Sequence, residues 1–293
     1  MRGVELFDPG QAAPAALRPE RPPVALRIAF VTETYPPEIN GVATTTAQLV
    51  DGLLGRRHHV QLVRPRQCAA DVGGGLGRLQ ELLVPGLPIP GYPHLRMGLP
   101  CRRRLEQRWS RARPDVVHVA TEGPLGWAAL QAARRLAIPV TSDFRTNFHA
   151  YSAHYGVGWL QRPIVAYLRR FHNQAACTLV PTEALRRELE AAGFERVQVV
   201  PRGVDTVHFS PARRSEALRR SWGAGPDDVV LGCVGRLAVE KNLGVVVAAY
   251  REVRRALPSA RLVFVGDGPQ RAQLQAACAE ARFAGARSGD DLA

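Results

Sequence analysis

Lysine is almost absent from this chain. Of its 39 lysine and arginine residues, only Lys241 is a lysine. Lysine carries a compact point charge on a flexible stem, whereas the guanidinium group of arginine is a planar fork. A single lysine in a chain that otherwise uses arginine therefore marks a position at which the two are not interchangeable. The plain alternative is a solvated lysine at the start of a helix.

The sequence also lacks long apolar runs and paired cysteines. No apolar stretch reaches the roughly 18–20 residues that a membrane-spanning helix requires. The five cysteines are scattered and show no spacing typical of a metal site, which favours a reducing, cytoplasmic location. Residues 1–24 are rich in Pro, Ala and Arg but contain no uninterrupted hydrophobic core, so we interpret them as a disordered leader.

Positive charge is present in excess. A net charge of +13 predicts attraction to polyanions, whether nucleic acid, anionic lipid or phosphorylated substrates. Two segments, 102–113 and 160–174, combine arginines with apolar residues at helical spacing. Such helices could lie on the inner face of the cytoplasmic membrane, or their apolar sides could pack on the protein while the arginines are solvated. No nucleic-acid-binding motif occurs, so we expect no specific nucleic acid partner.

Short β-branched runs alternate with helical patterns throughout the sequence. The predicted strands are 26–32, 60–63, 115–119, 139–142, 178–180, 197–200, 229–234 and 261–265. The predicted helices are 44–54, 124–136, 160–174, 182–192, 242–257 and 269–278. This alternation predicts an α/β protein whose sheets are parallel, doubly wound and covered by helices on both faces.

The rhythm breaks at 205–226, which predicts a domain boundary there. We therefore expect an N-terminal domain over 25–208 and a second Rossmann-like domain over 209–293. The second is short for a sheet of this kind, so we expect it to be incomplete. The sequence Ser288-Gly289-Asp290-Asp291 has the form of a capping box and predicts the start of a further helix.

Polar residues follow three of the strands predicted for the first domain. Asn40 and Gly41 end the loop after the first strand, His118 ends an apolar strand, and Asp143 and Asn147 follow the next one. Ligands bind doubly wound sheets at the carboxyl ends of strands, where a glycine lets the backbone approach them closely. An ordinary turn, a satisfied core histidine and loop packing are the respective alternatives.

A cationic loop follows the first strand of the second domain. Arg236 comes directly after Gly235, and Lys241 stands at the start of the next helix. Arginine can fork onto two diphosphate oxygens while lysine neutralises the same group. Together they could stabilise a departing diphosphate as a magnesium ion does elsewhere. The Gly266-Asp267-Gly268 sequence is a weak dinucleotide motif, since the third glycine is missing.

Taken in order, these segments resemble the retaining glycosyltransferases of family 4, which have the GT-B architecture of two Rossmann-like domains. The most specific segments are 37–42, 144–155, 200–211, 235–243 and 264–269. The similarity runs from residue 26 to the end of the chain and is closest to bacterial GDP-mannose-dependent α-mannosyltransferases.

The resemblance implies hexosyl transfer, here mannosyl, from GDP-mannose or a UDP-sugar to a lipid or glycan hydroxyl, without a metal or other cofactor. It implies roles for four residues. His118 is the catalytic candidate and contacts the transferred sugar, Arg236 and Lys241 hold the donor diphosphate, and Gly41 borders the donor and acceptor cleft. Asn40, Asp143 and Asn147, which we selected from the residues themselves, are candidates for the same cleft. The leaving phosphate itself takes the acceptor proton.

The family's paired-glutamate motif, which contacts the donor sugar and ribose, is expected well beyond Gly268. The residues that follow Gly268 contain no such pair. We therefore expect a chain truncated in its C-terminal domain. The alternative function is a catalytically impaired remnant that binds acceptor, membrane or diphosphate without transferring sugar.

Overall fold

The computed structural model describes residues 24–38, 40–68, 70–89, 92–145 and 161–293. These residues form two compact units, one comprising 24–145 and 169–199 and the other 161–168 and 200–293. The expected leader lies outside the described residues except for Val24. The second unit takes in 200–208, ahead of the boundary expected from the sequence, and the domain limits stay a prediction.

The first unit is built on an eight-stranded sheet. Its strands are β1 (Arg27–Val31), β2 (His59–Pro65), β3 (Gly75–Leu76), β4 (Leu79–Val84), β7 (Val116–Val119), β8 (Val140–Asp143), β9 (Cys177–Val180) and β10 (Val197–Val199). Their order is β10-β9-β8-β7-β1-β2-β4-β3, and every neighbouring pair is parallel except β3 with β4. A separate antiparallel hairpin joins β5 (Gly86–Ile89) to β6 (Tyr92–Gly98).

Helices cover both faces of this sheet because its strands are apolar on both sides. The helices that belong wholly to this unit are α1 (Gly41–Gly55), α2 (Arg102–Arg111), α3 (Pro124–Arg135) and α5 (Glu183–Ala191), while α4 (Gln161–His172) belongs to it from residue 169 onward. In β1, Ala29 and Val31 belong to the cluster that contains residues of α2 and α3, whereas Phe30 belongs to the cluster that contains Val50 of α1. Alternate residues of one strand thus face opposite helical layers, as a doubly wound sheet requires.

The strand order reverses at β1. The chain moves from β1 outward to β2 and then returns to place β7 on the other side of β1. The carboxyl ends of β1 and β7 therefore diverge into connections on opposite sides and leave a crevice between them, where doubly wound sheets bind ligands.

The second unit contains a three-stranded parallel sheet. Its strands, in order, are β11 (Val230–Val234), β12 (Arg261–Val265) and β13 (Arg282–Gly285), and its α-helices are α6 (Glu216–Ser221), α7 (Leu243–Ala256) and α8 (Arg271–Ala277). Tyr250 of α7, Phe264 of β12 and Leu274 of α8 lie in one buried cluster. The parallel α/β fold predicted from the sequence is confirmed in both units.

The structure also contains elements that the sequence did not predict. Strands β3 to β6 and β13 were not predicted. Strand β3 has two residues, β5, β6 and β13 contain Gly or Pro, and β4, with the sequence LQELLV, lacks β-branched residues except at its end. Helix α1 begins at Gly41 rather than at Thr44, since the Asn40 side chain caps it by accepting from the Ala43 amide. Gly41 is therefore the first helical residue and not part of the preceding loop.

Two further helix starts differ from prediction. A 3₁₀ turn, Val239–Lys241, precedes α7, and Asn242 between them adopts the left-handed conformation with φ 47°. Residues Gly289–Asp291 form another 3₁₀ turn, in which the Ser288 side chain makes no capping hydrogen bond. The expected capping box is therefore wrong in its hydrogen bonding.

Candidate functional site

The residues predicted for the first unit gather at the carboxyl edge of its sheet. Asn40 and Gly41 follow β1, His118 lies in β7, and Asp143 ends β8. These three strands are consecutive in the sheet, in the order β8-β7-β1. Asn147, the fourth cleft candidate, lies outside the described residues.

His118 is held by two hydrogen bonds. Its Nδ1 lies 2.9 Å from the Thr141 hydroxyl, and its Nε2 lies 3.1 Å from Oδ2 of Asp143. The ring also packs on Phe30 with a centroid distance of 4.7 Å, and the residue is only 9% exposed. If Nε2 carries the proton, His118 donates to the carboxylate and accepts from Thr141, so both nitrogens are satisfied.

Asp143 is a buried carboxylate that two side chains contact. It accepts hydrogen bonds from His118 and from the guanidinium group of Arg145. Burial alone would raise the pKa of Asp143, but the hydrogen bond from His118 and the charge of Arg145 outweigh it and hold the pKa below its usual range. Arg145 also forms an ion pair with Asp143.

Glu33 is a buried carboxylate to which the sequence had given no role. Its Oε1 accepts from the Leu125 amide at 2.9 Å, and its Oε2 accepts from the Gly98 amide at 2.6 Å. A Cβ on Gly123 would lie 2.0 Å from Oε1, so only glycine fits there. The carboxylate thus ties the end of β1 to the first turn of α3, where helix amide groups favour an anion.

Burial affects the ionisation of Glu33 strongly. Desolvation raises its pKa from 4.5 to about 7, although the backbone donors of Gly98, Leu125 and Gly126 oppose the shift. The only signal in the sequence was a carboxylate directly after an apolar strand. Its partners stand 65 and 92 residues away along the chain, too far for a local pattern to reveal.

The loop between β1 and α1 is held by its own side chains. The Asn40 amide donates to the Thr34 hydroxyl at 2.7 Å, and the Thr34 hydroxyl donates to Glu38. Asn40 also accepts from the Ala43 amide at 2.8 Å. A Cβ on Gly41 would meet no atom within 4 Å, so the first turn of α1 faces open space.

In the second unit, the predicted cations follow β11 directly. Arg236 is an exposed side chain whose guanidinium group donates to the carboxylate of Glu240. Lys241 is exposed in the 3₁₀ turn before α7, and no residue of the described ranges forms an ion pair with its ammonium group. Lys241 is close enough to Cys233 to oppose the rise that burial causes in the pKa of that thiol.

The loop that carries Arg236 is fastened by main-chain contacts to the loop after β12. The Leu237 amide donates to the Asp267 carbonyl oxygen at 2.9 Å, and the Gly235 amide donates to the Val265 carbonyl oxygen at 2.9 Å. A Cβ on Gly266 would lie 1.9 Å from the Gly235 oxygen.

Gly268 makes the same kind of close approach. A Cβ there would lie 2.4 Å from the Leu237 oxygen, and the residue has a φ of 156°. The Gly266-Asp267-Gly268 sequence therefore serves close packing of two loops, which explains it without a dinucleotide.

The described part of the chain contains no group of three or more His, Cys, Asp or Glu residues that could hold a metal ion. Nor does any helix in the described ranges have the length and apolar character needed to cross a bilayer. Leu105 and Trp109 of α2 and Phe171 of α4 are fully buried and pack in the core of the first unit, whereas Ile164 of α4 is half-buried and Tyr167 is exposed. Membrane association of the two arginine-rich segments stays a prediction.

Comparison with known proteins places both units in glycosyltransferase families. The model for "Glycosyltransferase Family 4" matches residues 39–208, and the model for "Glycosyl transferases group 1" matches 214–285. The GDP-mannose-dependent alpha-mannosyltransferase of Mycobacterium tuberculosis is 35% identical over 275 residues, which cover 92% of this chain and 70% of that protein.

Two more distant similarities agree. The alpha-monoglucosyldiacylglycerol synthase of Acholeplasma laidlawii is 26% identical over 261 residues, which cover 84% of this chain and 64% of that protein. Among solved structures, the Anabaena HepE complex with UDP and glucose gives a TM-score of 0.60 at 14% identity, over 90% of this chain and 70% of that one. The structural similarity supports the GT-B fold.

Proposed function

Because this chain belongs to glycosyltransferase family 4, we propose that it transfers a mannosyl residue from GDP-mannose to a hydroxyl group of a lipid or glycan, with retention at the anomeric carbon. The chain is a glycosyltransferase. The choice of GDP-mannose rests on the name of the Mycobacterium tuberculosis relative, and the lipid acceptor is supported by the name of the Acholeplasma laidlawii one.

The observation that carries the proposal is the pair of exposed cations at the carboxyl end of β11. Arg236 and Lys241 offer a planar fork and a point charge within one loop, which suits a diphosphate with several oxygens. Glu240 accepts from Arg236 and so restricts the orientation of the guanidinium group. We assign donor binding to the second unit, with the domain limits 25–208 and 209–293 kept as part of the proposal.

The proposed chemistry needs no metal. The bond between the anomeric carbon and the diphosphate oxygen breaks as the acceptor oxygen bonds to the same carbon from the same face. The acceptor proton passes to the departing diphosphate. Arg236 and Lys241 stabilise the charge that develops on the diphosphate, and the protein otherwise contributes positioning.

The first unit supplies the acceptor side. We propose that Asn40 and Gly41 border the cleft, because the first turn of α1 faces open space and presents backbone amides. Asp143 and Asn147 are proposed to complete this border. Arg145 forms an ion pair with Asp143. We propose that the remaining lone pairs of this carboxylate accept hydrogen bonds from sugar hydroxyl groups.

His118 stays our candidate for contact with the transferred sugar. Its Nε2 lies 3.1 Å from the Asp143 carboxylate. A sugar hydroxyl bound at this nitrogen would take the place of the carboxylate, so a neutral hydrogen-bond partner of the ring would replace a charged one. We propose that the imidazole donates a hydrogen bond to the sugar and removes no proton, because the departing diphosphate takes the acceptor proton.

We further propose peripheral contact with the inner face of the cytoplasmic membrane. Because the apolar side of α2 is buried, that contact would be electrostatic and made by its arginines. Arg104, Arg108 and Arg111 line one groove with Gln80 of β4, and no acidic residue lines it. Sedimentation with vesicles rich in phosphatidylglycerol tests this contact, which added salt or neutral vesicles should abolish.

A transfer assay tests the function. Purified full chain is incubated with radiolabelled GDP-mannose or UDP-glucose, bacterial membrane lipids and a chelator. We expect label from GDP-mannose to enter the lipid fraction and label from UDP-glucose not to do so. Binding of GDP without transfer would contradict the proposal and favour the remnant that binds without catalysis.

Competition separates simple polyanion binding from a donor site. If charge alone explained the binding of GDP, nucleic acid would displace it and moderate salt would abolish it. We expect GDP binding to persist in nucleic acid, because a diphosphate held by two cations is recognised by shape as well as charge.

A further inference from the structure

A chain of side-chain contacts runs from β2 to the start of α1. It begins at Arg64, which is 6% exposed and forms an ion pair with Asp71 through two contacts of 2.6 and 3.0 Å. Arg64 also contacts Glu81 of β4 at 3.0 Å. A buried guanidinium group with two carboxylates has little freedom to move, since separation would leave a buried charge unpaired.

Asp71 connects Arg64 to the segment that follows β2. Its carboxylate accepts from the main-chain amide of Gln67 at 3.1 Å. Arg64 holds the pKa of Asp71 below its usual range through a direct hydrogen bond, although burial opposes this shift. The Asp71 carboxylate, which Arg64 of β2 holds in place, therefore fixes the backbone of Gln67.

The side chain of Gln67 completes the connection. Its Nε2 donates to Oε1 of Glu38 at 2.7 Å, across 29 residues of sequence. The other oxygen of Glu38 accepts from the Thr34 hydroxyl and, at 3.4 Å, from the Asn40 amide.

Among the described residues, no other hydrogen bond joins 34–38 or the Asn40 side chain to a different segment of the chain. Tyr35 makes two further contacts: its ring centroid lies 5.8 Å from the guanidinium group of Arg64, and its side chain packs against the buried cluster that contains Phe30 and Val50. Both contacts hold Tyr35, whereas the hydrogen bond from Gln67 holds Glu38.

We propose that Gln67 is a positioning residue for sugar transfer: by holding Glu38, it sets the placement of Asn40 and the first turn of α1 beside Gly41. The proposal rests on the proposed function, in which Asn40 and Gly41 border the cleft. In the described residues, the hydrogen bond from Gln67 is the only one that reaches Glu38 and Asn40 from a distant segment, so its loss should loosen the cap. Small displacements of a positioning group reduce rate strongly.

Reversal of the donor and acceptor gives a sharp test. Gln67→Glu places a carboxylate against Glu38, which converts a hydrogen bond into a repulsion. Glu38→Gln is milder, because two amides can still pair. The double variant Gln67→Glu with Glu38→Gln restores the bond in the opposite direction, and the amide oxygen introduced at position 38 remains for Thr34 and Asn40. The control is Gln198→Glu, the same change at an exposed position of β10.

Three measurements are made on the full chain. Amide hydrogen exchange over 34–44 reports order in the loop and the helix cap. It includes the Ala43 amide, which donates a hydrogen bond to the Asn40 side chain. Transfer kinetics with GDP-mannose report kcat and KM, and the affinity for GDP checks that the second unit is intact.

We expect Gln67→Glu to raise exchange over 34–44 about tenfold and to lower kcat/KM by about 10- to 100-fold, with GDP affinity unchanged. The double variant should return both to within about threefold of the parent, and Gln198→Glu should change neither.

Unchanged exchange in Gln67→Glu would overturn the inference, and so would raised exchange with unaltered transfer kinetics. Failure of the double variant to recover would overturn the specific role of the bond. If the parent chain transfers no mannose, the proposed function fails and takes the catalytic role of Gln67 with it. The exchange rates would still decide whether Gln67 orders the loop.

Discussion

The two sheet edges that carry the candidate residues are built by different means. At the edge of the first sheet, side chains hold one another: His118 with Asp143, Asn40 with Thr34, and Glu33 with backbone amides. At the edge of the second sheet, main-chain hydrogen bonds and two glycines hold the loop, while Arg236 and Lys241 project from it.

This difference predicts different responses to mutation. Where side chains build the frame, a substitution disturbs both the frame and the ligand contact, so stability and binding change together. Where the backbone builds the frame, a projecting cation can be removed without loss of the fold. The glycines of the second unit are then the positions at which its frame is sensitive.

The largest expected effect is that of Gly266→Ala. Gly266 has a φ of 140°, and its new Cβ would lie 1.9 Å from the Gly235 oxygen, a backbone atom that cannot rotate away. We expect a loss of about 3–5 kcal/mol in the free energy of unfolding, measured by denaturant titration, together with weaker GDP binding.

Gly289→Ala is the control for conformation alone. Gly289 also has a positive φ, 54°, but its Cβ would meet no atom within 4 Å. We expect a loss of only about 1 kcal/mol for the left-handed backbone. Equal losses in the two variants would mean that the close approach of the two loops contributes nothing.

Glu33→Gln has the next largest effect, and that effect depends on pH. The folded-state pKa of Glu33 is about 7 and the reference value is 4.5, so the folded state binds the proton more tightly. Its contribution to stability is therefore fully present below pH 4.5 and is lost as pH rises towards 7. Glutamine does not titrate, so the variant lacks this dependence.

We therefore expect the unfolding free energy of the parent, minus that of the variant, to fall by roughly 3 kcal/mol across this range. At low pH the two proteins still differ in unfolding free energy, because the side-chain amide of the variant cannot accept hydrogen bonds from both Gly98 and Leu125. Denaturant titrations at several pH values measure the difference, with the exposed Glu195→Gln as control. A difference that does not vary with pH would show that burial does not perturb this carboxyl.

The same contrast explains what could be predicted from the sequence. Most strands and helices and the cationic loop at Arg236 follow from patterns within a few residues, so they were predictable, whereas β3 to β6 and β13 were not predicted. The partners of His118 and Glu33 were not, because they stand 23 to 92 residues away along the chain. The close approach of Gly266 to Gly235 likewise depends on how two strands align, which composition does not reveal.

Lys241→Ala should affect binding and leave stability unchanged. Its ammonium group is exposed and pairs with no carboxylate in the described ranges, so the fold does not depend on it. We expect affinity for GDP to fall about tenfold, about 1.4 kcal/mol, measured by calorimetry. Lys241→Arg should restore only part of the loss, because a planar fork does not replace a point charge. Equal affinity in all three proteins would refute the role of this residue.

A small, stabilising effect is expected for Gly41→Ala, which tests the open space at the first turn of α1. No atom lies within 4 Å of the new Cβ, so the unfolding free energy should change by less than about 1 kcal/mol, and in the stabilising direction. Gly52→Ala, in the same helix and equally unobstructed, is the matched control. If the cleft lies at Gly41, its methyl group should raise the KM for acceptor or donor while Gly52→Ala leaves transfer unchanged. Identical kinetics in the two variants would show that the ligand does not bind at this turn. The edge of the first sheet would then bind no ligand.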